Sequence, residues 1–177
     1  QGTFRNPADV PDFAGCTSVV DITWPGPVPS YWEIDSPGCN AGAMVIASPS
    51  ASPPCVTTNI FDAAFSGGGF AFDHTSLNKR RLRIDWATGA PTPPSLTAGA
   101  LYPVFKLVLD PDQGVQNRCS GCDLPATITL QSVEVFGFGA TEDYLITTTD
   151  VRSTITWQSG PTPVQNRTWG AIKALYR

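Results

Sequence analysis

Apolar and polar residues alternate with a period of two along most of the chain, and no helical period of 3.6 is sustained through its main body. Val20, Ile22 and Trp24 alternate with Val19, Asp21 and Thr23 until the proline-rich run 25–29 stops the strand. A short strand is predicted at 31–34. In another, Met44 and Ile46 share one side ahead of a Ser/Pro-rich loop at 48–54. The clearest alternation lies at 81–86, where Leu82, Ile84 and Trp86 point inward and Arg81, Arg83 and Asp85 point to water. The stretch 102–109 is apolar on both faces apart from Lys106, which places it in the centre of a sheet or under a loop. Pro103 should sit at its start, because proline cannot donate to a ladder. In 126–136, Ala126, Ile128 and Leu130 hold one phase while Val133 and Val135 hold the other, so a bulge is expected near Gln131 and Ser132. Val151, Ser153, Ile155 and Trp157 form a last strand.

Helical signals are short. The segment 59–65, opened by Asn59 and closed by Gly67, Gly68 and Gly69, reads as one or two helical turns, after which Phe70 and Phe72 resume the strand pattern. At the other end Thr168 can cap a helix that carries Trp169, Ile172, Leu175 and Tyr176 on one side. The count of about nine strands, separated by turn signals and free of internal repeats, predicts an all-β fold: a single two-sheet β-sandwich with one or two short helical turns. Residues 16–177 make up the sandwich, and residues 1–15 form an N-terminal arm. In an isolated monomer little would order that arm. Phe4, Arg5 and Val10 within it, with Trp169 and Tyr176 at the opposite end, are therefore candidate contacts to a neighbouring subunit.

Composition narrows the function classes. A chain of 177 residues buries roughly 70% of its extended surface, enough for one core without a metal staple. Only 15% of residues are charged and the net charge is -4, which excludes a general nucleic-acid binder, since that needs a basic surface to displace counterions. The one basic cluster, Lys79, Arg80 and Arg81 with Arg83, reads as a solvated strand face whose charges discourage edge pairing. No apolar run approaches the ~20 residues of a membrane span. The chain begins with Gln1, and the expectation is an exported protein, extracellular or at the cell surface, with its signal peptide removed before that residue.

Five cysteines and a single histidine favour disulfides in an oxidising compartment over a zinc site. Spacing does not decide the pairing. Cys119 with Cys122 would close a tight loop and Cys39 with Cys55 a longer one, leaving Cys16 as the odd thiol, free or bonded to a second chain.

Candidate chemistry is sparse, and the protein reads as a non-enzyme without a cofactor. Any hydrolase mechanism through a histidine would have to use His74. A Cys-x-x-Cys turn in a β connection is a structural staple rather than a redox site, which needs a helix N-terminus to lower the thiol pKa. Asp110 and Asp112 in a Pro/Gly turn are a weak calcium candidate, and no other metal site is indicated. Of the five tryptophans, Trp24, Trp86 and Trp157 are in phase with the core, which leaves Trp32, and after it Trp169, as candidates for stacking on a ligand. Asn166 opens a sequon whose use depends on the host.

The run 95–135, with Cys119-Ser-Gly-Cys122 inside it, and the ending Trp169-Gly-Ala-Ile-Lys-Ala-Leu-Tyr-Arg177 resemble an uncharacterised family of secreted proteins from environmental bacteria. The resemblance spans roughly residues 28–177, with Tyr31-Trp32, Gly38-Cys39 and the basic strand at 78–81 as further points of likeness. It implies a β-sandwich similar to cohesins and carries no activity. The family's pattern has a further cysteine where Ala126 stands and another near Ser159-Gly160, so Cys16 lacks the partner that the pattern would offer. Together these features predict a secreted structural protein that self-assembles through β-edges or its terminal arm, as a filament, sheath or surface-layer subunit. The alternative is a cell-surface module that binds polysaccharide or protein.

Overall fold

A computed structural model describes residues 2–47, 49, 60–61, 66–109, 119–138, 143–147 and 153–158. Among them nine strands pair into two antiparallel sheets, the β-sandwich that the alternation predicts. In the smaller sheet β6 (Leu101–Leu109) lies between β1 (Gly2–Arg5) and β3 (Met44–Ala47). The larger sheet runs β4 (Ser66–Ser76), β5 (Lys79–Thr88), β2 (Phe13–Thr23), β7 (Ala126–Gly137), β8 (Tyr144–Thr147), with β9 (Thr154–Trp157) also on β7.

Each face follows from the alternation. Val20 and Ile22 of β2, Leu82, Ile84 and Trp86 of β5, and Val133 and Val135 of β7 join Phe4, Met44, Tyr102 and Val104 of the smaller sheet in one buried cluster. Burying a large aliphatic side chain stabilises by about 1.5–3 kcal/mol, so this shared face holds the sheets together. β6 is the central strand of its sheet, as its two apolar faces require, and Pro103 lies near its start. The predicted bulge is present: Val19 pairs with Ser132 and Val20 with Leu130, so Gln131 is the extra residue.

Four local expectations are corrected. Residues 30–32 form a 3-10 turn rather than a strand; Tyr31 and Trp32 are adjacent and both buried, which a strand's alternation forbids. Gly67, Gly68 and Gly69 do not end a helix but lie in β4, paired with Ala87, Trp86 and Asp85. Gly68 is needed there, because a Cβ would collide with the Trp86 ring that covers it. The basic strand β5 is not an edge, having β4 on one side and β2 on the other. Ile155, in phase with the core-facing Trp157, is 62% exposed opposite the half-buried Ile128, since alternation assigns a side without supplying a cover. Of the segment 59–65 only Ile60 and Phe61 are described, both in the core, and the helix expected at 168–177 lies outside the described residues.

The N-terminal arm is also corrected. Residues 2–5 add β1 to the smaller sheet; Phe4 is buried and packs on Tyr102 at 5.9 Å between ring centroids. Val10 is fully buried and exchanges backbone hydrogen bonds of 2.9 and 2.7 Å with Leu96. Arg5 stays exposed, donating to the Gly99 carbonyl. The open side of β6 and the isolated bridge to Leu96 supply the partners that a second subunit was expected to supply.

Candidate functional site

The cysteines resolve differently from their spacing. Cys39 is bonded to Cys119 across 80 residues, while Cys16 and Cys122 are free, so neither local pairing, Cys119–Cys122 nor Cys39–Cys55, exists. The reason is tertiary: Tyr31 N–H donates to the Ser120 carbonyl, and Ser30 and Ser120 are joined through their hydroxyls, which places the turn after Cys119 against the segment that leads to Cys39. Cys55 lies outside the described residues. Cys122 is half-buried and its carbonyl accepts from the Trp157 indole at 2.9 Å. Cys16 is enclosed in β2, and burial, with the Asp85 charge adding to it, pushes its thiol up to about 12.

Trp32 is no stacking platform. It is 2% exposed, in edge-to-face contact with Trp24, Tyr31 and Trp157 at 5.5–5.9 Å between centroids. Elimination of the tryptophans in phase with the core points to Trp32, but the 3-10 turn at 30–32 buries Tyr31 and Trp32 together. Asp110, Asp112, Trp169 and Tyr176 lie outside the described residues. Among the described residues no three His, Cys, Asp or Glu side chains converge on a metal position, and no helix is long and apolar enough to cross a membrane.

Charged groups concentrate on the outer face of the larger sheet. Asp21 of β2 is held by Arg81 through two hydrogen bonds of 2.8 and 2.9 Å and by Lys79 at 2.6 Å. Burial alone would raise the Asp21 carboxyl, but those bonds and charges outweigh it and hold the group below its ordinary range. His74 is exposed on β4, and its Nε2 lies 2.5 Å from Asp35, which ties that strand to the loop before Cys39. This pair is the environment of the sole histidine.

Two features of the same region were not legible in the sequence. The first is the edge itself: β4 spans 11 residues and, among the described residues, has a strand on one side only. The second is an open hollow of about 400 Å³ where β4, β5, β2 and β7 meet at the Ser66 end of β4. Gly15, Gly67 and Gly69 floor it, and Phe136, Thr17 and Asp85 border it. Phe136 pairs with Gly15 and Asp85 with both Gly69 and Thr17, so register places these outward side chains around the glycines. The glycine run is the one local trace of the hollow, and it lies within a strand instead of ending a helix. Comparison with protein-family models, curated protein sequences and solved structures finds no match.

Proposed function

We propose that this is an exported extracellular structural protein whose copies join through β-edges. The observation that carries the reading is the β4 edge: 11 residues long, without proline or lysine, and, among the described residues, open along one side. Such a strand offers a row of backbone donors and acceptors to another chain unless bulges, charge or cover blunt it. The segment 66–72, Ser-Gly-Gly-Gly-Phe-Ala-Phe, carries no charge. At the far side of the sheet β8 is four residues long, with Leu145 64% exposed. Docking β4 of one copy beside β8 of the next would continue the sheet head to tail, a contact that does not close on itself and so builds fibres. The Cys39–Cys119 disulfide supports an oxidising location.

Negative-stain microscopy and sedimentation of the unreduced protein test this. Ordered fibres, lost in an Ala71→Lys variant that sets a charge on the edge strand, are expected. A wild-type monomer at high concentration would overturn the reading.

A further inference from the structure

The hollow at the Ser66 end of β4 has features that folding by itself does not require. Gly67 and Gly69 have no left-handed φ, and a Cβ built on either meets nothing within 4 Å. Neither backbone conformation nor packing therefore demands glycine at those two positions, unlike Gly68 between them. Glycine inside a strand is destabilising relative to alanine, and more so relative to a β-branched residue. What the two glycines do is keep the floor low, so that an incoming group can reach the sheet backbone.

The border is chemically divided. On one side Asp85 is positioned through a single oxygen: Oδ1 accepts from Thr17 at 2.5 Å and from Arg83 at 3.2 Å. No described residue bonds its Oδ2, and the side chain is about half exposed. The carboxylate is thus held in place with one oxygen turned to solvent as an acceptor. On the other side Phe136 is half-exposed and sits opposite Gly15 in the β2–β7 ladder. An aromatic face attracts polarised C–H groups, whereas a carboxylate takes charge-assisted hydrogen bonds from hydroxyls. A flat ring with an apolar C–H face and hydroxyls at its margin satisfies both borders together, and the hollow lies in the size range of small-ligand sites.

We infer that this hollow binds a neutral pyranose residue of a polysaccharide, its C–H face against Phe136 and its hydroxyls on Asp85 and Thr17, with Gly67 and Gly69 as the floor. The site is distinct from the edge contact, since it lies on the sheet face and uses outward side chains rather than the open backbone of β4.

The test is calorimetric titration with cellohexaose, xylohexaose, mannohexaose and chitohexaose, run on wild type, Gly69→Val and Asp85→Asn. At least one oligosaccharide should bind wild type at millimolar concentration or better, and each substitution should weaken it by about tenfold or more. Gly69→Val is the discriminating variant. Valine favours strands, so its thermal midpoint should stay level or rise while binding is lost, which separates a filled hollow from a damaged fold. Absence of binding across the panel would overturn the inference, as would equal binding by wild type and Gly69→Val.

Discussion

Asp21 and Arg81 face each other directly across the β2–β5 ladder, and the guanidinium grips the carboxylate through both of its oxygens. Lys79 reaches Asp21 Oδ2 from two residues before Arg81. A carboxylate with only 5% of its side chain exposed is therefore neutralised by two cations from the neighbouring strand.

Acid stability follows from that pair. The folded state holds the Asp21 carboxyl below its ordinary value, so the unfolded chain takes up a proton first as the pH falls. The contribution is complete above the unfolded pKa of about 3.9 and is lost as the pH drops through the lower folded value. Asp21→Asn should cost about 2 kcal/mol at neutral pH, the scale of hydrogen bonds to a charged group. Urea unfolding at pH 7 and pH 3 should show that difference narrowing in acid; an unchanged difference would remove Asp21 from the acid response.

The Cys39–Cys119 bridge closes a loop of 80 residues, and the chain-entropy model assigns such a loop about 4.5 kcal/mol. A Cys39→Ser, Cys119→Ser double variant should lose stability on that scale in denaturant, with the strand content measured by circular dichroism retained at low denaturant. Peptide mapping of the native protein should recover the Cys39–Cys119 linkage.

Accessible and enclosed thiols should separate by reactivity. The attacking species is the thiolate, and Cys16 is both enclosed and raised to about 12, whereas Cys122 is partly open to solvent. Native treatment with iodoacetamide at pH 8, read by peptide mass spectrometry, should modify Cys122 and spare Cys16 until denaturant is added. Rapid native labelling of Cys16 would contradict its place in the core.

Trp32 should behave as a core residue. Trp32→Ala removes an indole packed on Trp24, Tyr31 and Trp157, and truncation of a buried aromatic costs about 3–5 kcal/mol. A large drop in thermal midpoint is expected; a ligand-specific effect without a stability loss would instead put the ring at the surface.

The sequence alone determined the fold class and much of the strand pattern. The period-two alternation of Leu82, Ile84 and Trp86, the doubly apolar stretch that became β6, and the phase change at Gln131 are local signals, written in neighbouring residues and readable without knowing what they pack against. The rest depends on contacts between segments far apart in the chain. Which cysteine joins Cys39, whether Phe4 and Val10 meet their own chain, and whether Trp32 is covered all depend on segments distant in sequence. The hollow bordered by Asp85 and Phe136 likewise exists through the registers of three strand pairs. The physical reason is that alternation assigns each side chain to a face, while burial, pairing and cavity shape arise from what lies opposite that face, and opposing residues in a β-sandwich are far apart along the chain.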